Sequence, residues 1–344
     1  MVSSSKAFIT GVAGPALTLD EQAFLRAERP WGFILFTRNI RDKAQLSDLV
    51  AEIRELAGRR DAPVLIDQEG GRVQRLQPPI WPAYPAGAIF GRIFAHDPAR
   101  GLRAAHLSAR LIAADLAEIG VNVDCLPIVD VPVAGSDNVI GDRAYGTNPA
   151  TVTAIGRAVA DGLGDGGVLP ILKHIPGHGR AMVDSHHLLP VVNAPRDELE
   201  AIDFAPFRAL ADLPMAMTAH VIFSAYDPAR PATTSATIIG EVIRGLIGFD
   251  GLLMGDDVSM NALEGSIAQR SRDTIAAGCD TVLACNGKFD EMRAVADNVP
   301  ELRGEALRRA DAALATKRRP QPLDIAAARA ELDALVAFAK DLIA

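Results

Sequence analysis

The chain has 344 residues, of which 49% are hydrophobic and 23% are charged, a composition typical of a globular protein. Its formal net charge of −8 argues against the basic surface that nucleic-acid-binding proteins carry. No apolar run approaches the ~20 residues that cross a bilayer, and the three cysteines lack the spacing of a metal site. We therefore expect no nucleic-acid partner, no membrane partner and no metal.

The cysteines and the first residues also bear on the cellular compartment. The three cysteines are an odd number, and each stands beside apolar residues, which predicts reduced thiols in a core. The first six residues lead into a strand-like segment without a basic region followed by a long apolar one. We expect no signal peptide and a cytoplasmic location.

Short apolar runs predict eight buried strands along the chain. They cover residues 7–12, 31–36, 63–66, 121–124, 168–172, 214–220, 251–257 and 281–286. The segments between them mostly have helical spacing. Helices are predicted over residues 42–56, 150–163, 238–247 and 267–277, together with one that follows the proline-rich residues 78–85 and ends at Ile119. The first helix begins at Thr18, because Thr18 and Glu21 have the form of a capping box.

Strands that alternate with helices predict parallel pairing through crossover helices. Eight such units indicate an α/β fold, a single (β/α)8 barrel of the TIM type. An open, doubly wound sheet is the alternative, but no glycine fingerprint for a dinucleotide follows the first strand. We expect one domain over residues 1–344, with closing helices from about residue 302 to residue 344.

A histidine-rich loop follows the fifth predicted strand. Residues 173–190 read KHIPGHGRAMVDSHHLLP and hold four of the seven histidines of the chain. Lys173 and His174 come directly off the strand end, a common position for catalytic groups in such barrels. Asp184 stands two residues before His186, and a carboxylate can orient an imidazole and raise its basicity.

Two acidic motifs follow the third and seventh predicted strands. Asp67 opens the sequence DQEGGR and can accept hydrogen bonds from sugar hydroxyls, and Arg75 can reach back towards it across a glycine turn. Asp256 and Asp257 end the seventh strand, where one carboxylate can be a nucleophile, a base or a metal ligand. Neighbouring residues of a strand point differently, so we expect only one to face the site, and helix capping suits Asp257 better.

These motifs together resemble the bacterial β-N-acetylglucosaminidases of glycoside hydrolase family three. The resemblance covers most of the chain in the same order and rests on residues 66–75, 139–143, 173–190 and 255–260. The family usually has phenylalanine at the position of Ile175, and often serine or threonine at that of Gly255. Both departures lie next to the reactive groups and leave those groups unchanged.

The resemblance implies a retaining exo-glycosidase in which Asp256 is the nucleophile and His186, paired with Asp184, is the acid/base. It places sugar binding on Asp67, Arg75, Arg143, Lys173 and His174. It implies no cofactor and no metal, and it implies the compact family type, without the second domain of many members. The implied role is removal of terminal N-acetylglucosamine from 1,6-anhydromuramoyl muropeptides in cytoplasmic peptidoglycan recycling. We expect a monomer with a small amino-sugar substrate.

Three further functions stay open on the residues alone. A metal-dependent hydrolase would use His174, His178, His220 and Asp256 around zinc. A lyase or aldolase would use Lys173 as a Schiff-base nucleophile. A sugar-binding protein without catalysis would leave Asp256 and His186 idle. Within the glycosidase hypothesis, phosphate could replace water as the acceptor.

Overall fold

The computed structural model describes residues 5–185 and 188–341. Eight parallel strands, consecutive around the ring, close into a barrel. They are β1 (Lys6–Thr10), β2 (Pro30–Leu35), β3 (Val64–Ile66), β4 (Val123–Asp124), β5 (Leu169–Ile175), β6 (Met215–Thr218), β7 (Leu252–Asp257) and β8 (Thr281–Ala284). Closure occurs at β1, where Thr10 lies opposite Phe33 of β2 and Ala284 of β8. The predicted barrel is confirmed, and the open sheet is wrong.

Helices surround the barrel. They are α1 (Leu19–Glu28), α2 (Lys43–Leu56), α3 (Gly87–His96), α4 (Pro98–Glu118), α5 (Pro149–Asp165), α6 (Ala205–Ala209), the π-helical α7 (Ile238–Leu246), α8 (Ile267–Ala277), α9 (Phe289–Ala296), α10 (Gly304–Ala315) and α11 (Ile325–Asp341). The capping box of α1 is confirmed, because the Glu21 N–H donates to Thr18 Oγ1 and the Thr18 N–H donates to the Glu21 carboxylate.

The single helix predicted to end at Ile119 is wrong. The chain breaks between α3 and α4, where Pro98 has no N–H to continue the first helix. Asp97 accepts a hydrogen bond from the Arg100 N–H at 3.1 Å and so caps the second helix. Two small sheets also lie outside the barrel and were not predicted. One is a hairpin of Gln68–Gly70 with Val73–Gln74, and the other pairs Val191–Val192 with Ile222–Phe223.

The core fills the barrel and the layer between the strands and the helices. Phe8, Phe33, Ile66, Leu172 and Leu253, from five different strands, are all fully buried. A strand that is buried on both faces reads as a continuous apolar run, which is why the sequence revealed these strands. Polar residues begin where the strands end, so the strands deliver them to one face of the barrel.

Helices α10 and α11 lie against earlier parts of the chain. Arg308 and Arg309 of α10 both contact the carboxylate of Asp250, at 2.8 and 3.0 Å. In α11, Glu331 pairs with Arg103 of α4 at 2.7 Å. The division of the chain into one domain with closing helices stays a prediction. The described cysteines are free thiols, and none of the helices in the described ranges has the length and apolarity to cross a membrane.

Candidate active site

A cavity of about 390 Å³ opens among the carboxyl ends of the barrel strands. Most of the site residues singled out from the sequence line it, namely Asp67, Arg75, Arg143, Lys173, His174, Asp184 and Asp256. They come from the ends of β3, β5 and β7 and from the loops that follow β3, β4 and β5. The remaining residue of the predicted glycosidase site, His186, lies outside the described residues.

A chain of ion pairs crosses the floor of this cavity. The Lys173 ammonium lies 2.9 Å from Asp67 Oδ1 and 2.7 Å from Glu69 Oε1. Arg143 binds Glu69 through two nitrogens, at 2.8 and 2.9 Å. Arg75 donates to Asp67 Oδ2 at 3.0 Å. Glu69 was not predicted as a site residue, although it stands within the motif DQEGGR, and the structure makes it the link between Lys173 and Arg143.

These groups hold one another in their charged forms. Burial disfavours the carboxylate of Asp67, but the charges of Lys173 and Arg75 outweigh it and lower the pKa of Asp67. Burial is likewise outweighed at Glu69, whose pKa is lowered by Arg143 and Lys173. The pKa of Lys173 is raised despite its burial, because Asp67 and Glu69 stabilise the ammonium ion. The cavity therefore presents fixed charges that can hydrogen-bond strongly to sugar hydroxyls.

A glycine turn lets Arg75 return to Asp67. Gly70 and Gly71 both have positive φ, 91° and 56°, at the tip of the small hairpin after β3. A Cβ atom on Gly70 would lie 2.3 Å from the carbonyl oxygen of Pro85, so no larger residue fits there. The tight turn predicted at this pair is confirmed.

A buried carboxylate, Asp130, organises the histidines of the loop. Its Oδ2 lies 2.7 Å from His174 Nδ1, and its Oδ1 accepts the backbone N–H groups of His174 and His178 at 3.3 and 2.7 Å. Burial opposes ionisation, but the His174 ring, the His178 ring and the His178 backbone N–H outweigh it and lower the pKa of Asp130. This residue was not predicted, and its signal in the sequence is a lone acid within the apolar residues 126–133.

The loop after β5 is fastened at several points up to the last described residue before His186. Arg180 pairs with Asp203 at 2.6 Å and with Glu198 at 2.8 Å. The ring nitrogen Nε2 of His178 lies 2.9 Å from Ser185 Oγ. This contact ties Ser185, the neighbour of His186, to the backbone that Asp130 holds.

A second segment, residues 138–143, carries Arg143 into the cavity. Arg72 holds it from the opposite side, donating to the carbonyl oxygens of Asn138 and Val139 at 2.6 and 2.7 Å and pairing with Asp142 at 3.0 Å. Arg143 itself donates to the Val139 carbonyl at 3.0 Å. Arg72 therefore shapes the segment from which Arg143 reaches Glu69.

The two aspartates at the end of β7 differ in how their side chains are used, although both line the cavity. Asp257 accepts hydrogen bonds from the Ser259 N–H at 3.0 Å, the Ser259 hydroxyl at 2.6 Å and the Cys285 N–H at 3.1 Å. Asp256 Oδ1 accepts the Asp257 N–H at 2.8 Å. The carboxylate of Asp257 therefore braces the loop after β7 and the end of β8.

The comparisons with known proteins agree with this geometry. The sequence profile of the glycosyl hydrolase family 3 N-terminal domain matches residues 15–315. The chain belongs to glycoside hydrolase family 3. A beta-hexosaminidase of Alkalilimnicola ehrlichii is 40% identical over 282 residues, covering 80% of this chain and 79% of the relative. A beta-hexosaminidase of Aromatoleum aromaticum is 36% identical over 340 residues, covering 97% of this chain and 92% of the relative.

A solved structure resembles this family 3 chain over almost its full length. NagZ from Neisseria gonorrhoeae, in complex with N-trifluoroacetyl-D-glucosamine, has a TM-score of 0.84 and 32% identity, and the match covers 99% of both chains. The family and these relatives identify a glycoside hydrolase of the β-N-acetylhexosaminidase type. The resemblance drawn from the motifs is confirmed, and a sugar-binding protein without catalysis does not fit.

A Schiff-base lyase does not fit the geometry of this family 3 site. A Schiff-base nucleophile must be a neutral amine, whereas Lys173 is held as an ammonium ion by Asp67 and Glu69. For zinc, the described ranges contain no group of three or more histidine, cysteine, aspartate or glutamate side chains able to hold a metal. His220, one of the imagined ligands, directs its two ring nitrogens at Thr233 and at the Asp257 carbonyl.

Proposed function

We propose that the chain is a retaining exo-β-N-acetylglucosaminidase that releases terminal N-acetylglucosamine from muropeptides of the N-acetylglucosaminyl-1,6-anhydromuramoyl type during peptidoglycan recycling. Asp256 acts as the nucleophile, His186 as the acid/base, and Asp184 orients His186. Asp67, Arg75, Arg143, Lys173 and His174 bind the sugar. The enzyme works in the cytoplasm, as a monomer, and without a cofactor or a metal.

The observation that carries the proposal is the place of Asp256 at the end of β7. It lines the cavity that also holds Asp67, Lys173 and Asp184, whereas the carboxylate of its neighbour Asp257 is engaged by three donors. Two carboxyl groups beside one strand end thus have different surroundings, and that of Asp257 is committed to bracing the loop after β7. The cavity volume of about 390 Å³ lies in the range of small-molecule sites.

In the first step, the ionised carboxylate of Asp256 attacks the anomeric carbon of the bound sugar. His186, as imidazolium, gives its proton to the glycosidic oxygen, so the bond to the aglycone breaks as the ester to Asp256 forms. In the second step, neutral His186 takes a proton from water, which displaces Asp256 from the same carbon. Both groups return to their starting forms, and two displacements retain the β configuration.

The amino-sugar class rests on the relatives. The Neisseria protein was solved with N-trifluoroacetyl-D-glucosamine, which supports a site for an N-acylated glucosamine in this chain as well. Ion-paired Asp67, Arg75 and Lys173 supply donors and acceptors for ring hydroxyls. The muropeptide aglycone and the recycling role rest on the family resemblance.

The first test is hydrolysis of p-nitrophenyl β-N-acetylglucosaminide by wild type and by Asp256→Ala, in EDTA, with the first-formed anomer followed by NMR. We expect β-sugar from wild type and none from the variant. Release of α-sugar first would defeat the retaining mechanism, and loss of wild-type activity in EDTA would favour a metal enzyme. Competition between a purified anhydromuropeptide and chitobiose tests which aglycone the enzyme prefers. Formation of a sugar 1-phosphate when phosphate is added would show that phosphate, and not water, is the acceptor.

A further inference from the structure

A chain of buried hydrogen bonds runs behind the proposed nucleophile. The Asp256 N–H donates to Thr218 Oγ1 at 3.3 Å, Thr218 Oγ1 lies 2.7 Å from Thr233 Oγ1, and Thr233 Oγ1 lies 2.7 Å from His220 Nδ1. The other ring nitrogen of His220, Nε2, lies 3.0 Å from the Asp257 carbonyl oxygen. The side chains of Thr218, His220 and Thr233 are fully buried, so water does not compete for these bonds.

These side-chain hydrogen bonds begin where the backbone pairing of β7 with β6 ends. Strand β7 pairs with β6 in register from Leu252 to Met254, opposite Met215 to Met217. Beyond Met254, the Asp256 N–H is bonded by the Thr218 side chain and the Asp257 carbonyl by His220. Side chains of β6 and of the residues after it thus set the path of the strand end that carries Asp256.

The available protons limit the directions in which these hydrogen bonds can run. A carbonyl oxygen only accepts, so His220 Nε2 must carry the hydrogen that it shares with Asp257. Each threonine hydroxyl has one proton. If Thr218 donates to Thr233, and Thr233 donates to Nδ1, both contacts of 2.7 Å are satisfied with a neutral His220, and the longer contact of Thr233 Oγ1 with the Ala219 carbonyl, at 3.2 Å, receives no proton. The same count rules out a neutral ring protonated at Nδ1, because Nε2 would then face the carbonyl with a lone pair.

We propose that His220 is a positioning residue for the reaction, held as the neutral Nε2–H tautomer. Together with Thr233 and Thr218, it fixes the backbone on both sides of the Asp256–Asp257 peptide. The N–H of that peptide donates to Asp256 Oδ1 at 2.8 Å, so its orientation sets the orientation of the attacking carboxylate. The inference rests on the proposed role of Asp256 as the nucleophile.

The tautomer is tested by NMR of the full chain labelled with ¹⁵N-histidine, with the His220 signals assigned by their loss in His220→Gln. We expect hydrogen on Nε2 and none on Nδ1 at neutral pH. A ring protonated at Nδ1, alone or on both nitrogens, would overturn the inference.

Steady-state kinetics test the positioning role. In His220→Leu, we expect kcat to fall about 100-fold while KM changes by less than about threefold, because the sugar-binding groups stay in place. Glutamine can donate to the Asp257 carbonyl and accept from Thr233, so the kcat of His220→Gln should be about tenfold higher than that of His220→Leu. The control is His106→Leu, which removes a half-buried histidine that contacts Asp165 on the barrel exterior and should leave kcat unchanged.

If His220→Leu fails to fold, Thr233→Val interrupts the same chain with a side chain of nearly equal size, and Thr233→Ser restores the hydroxyl. A fall in kcat for valine and recovery for serine would support the inference. Full turnover in His220→Leu or Thr233→Val, with Asp256→Ala inactive, would defeat the positioning role and leave the proposed function standing. Full turnover in Asp256→Ala would instead defeat the proposed function.

Discussion

The ammonium group of Lys173 lies 2.9 Å from Asp67 Oδ1, although the two residues end strands that are separated in the barrel by β4. The same ammonium lies 2.7 Å from Glu69, and its side chain is almost completely buried. Closure of the barrel brings these groups together, and their mutual charge compensates for the water that each has lost. The proposed binding of the sugar and the stability of the fold therefore depend on the same side chains.

Replacing Lys173 by methionine should destabilise the protein by about 3–5 kcal/mol, because Asp67 and Glu69 stay buried without their shared cation. Urea unfolding measures this free energy. The matched control is Lys43→Met, which removes an exposed ion pair of 2.7 Å with Glu118 and should cost less than about 1 kcal/mol. Equal losses in the two variants would show that the buried network is not the source of the effect.

Asparagine substitutions separate the two aspartates of β7. Asp257→Asn should cost about 1–3 kcal/mol of stability, since an amide nitrogen would face a donor from Ser259 or Cys285. Asp256→Asn should instead lower kcat by at least about 1,000-fold with little loss of stability. Thermal unfolding and p-nitrophenyl glycoside hydrolysis measure the two effects. The reverse pattern would make Asp257 the nucleophile.

The barrel could be predicted because its strands are buried on both faces and so appear as apolar runs, each followed by a helix or a polar loop. The convergence of Asp67, Lys173 and Asp256 follows from that topology alone. What periodicity does not show is a local break, and a single proline with its capping Asp97 divided the helix predicted up to Ile119.

The supporting residues could not be predicted, because their role depends on partners that only the closed barrel supplies. Asp130 reads as an isolated acid, yet it binds His174 and His178 at once. His220 reads as a candidate ligand at a strand end, yet both of its ring nitrogens serve the backbone and Thr233. Motifs thus indicated the residues that line the cavity, and the structure was needed for those that hold them.

Stability should fall in mild acid because of His178. Burial, followed by the neighbouring charge of His174, lowers the pKa of His178 to about 4, against 6.5 in an unfolded chain. Between these values the unfolded chain binds more protons, so unfolding becomes easier as pH falls, by about 3 kcal/mol in all. Urea unfolding between pH 4.5 and 7 should show a shallower pH dependence for His178→Asn than for wild type. Parallel curves would contradict the assignment.

Gly179 should be required by close packing of the loop. A Cβ atom at this position would lie 2.1 Å from the carbonyl oxygen of Val131, a backbone atom that cannot swing away. Gly179→Ala should therefore displace the segment that carries Asp184, lower kcat, and cost about 1–3 kcal/mol. Gly164→Ala is the control, because a Cβ there has open space within helix α5 and should stabilise by up to about 1 kcal/mol. Kinetics and urea unfolding of both variants measure the contrast, and similar results for the two would refute it.

The proposed acid role of His186 predicts a dependence on the leaving group. Removal of the proton donor should slow substrates whose aglycone leaves as a poor anion and should spare aryl glycosides with very acidic phenols. In His186→Ala, the rate of glycosidic bond cleavage should fall about 100-fold or more for a natural disaccharide. It should fall much less for a dinitrophenyl glycoside, measured by release of the first product. Asp184→Asn should show the same trend to a smaller degree, because it leaves the imidazole in place. Equal losses of His186→Ala on both substrates would mean that this histidine binds the sugar and does not donate the proton.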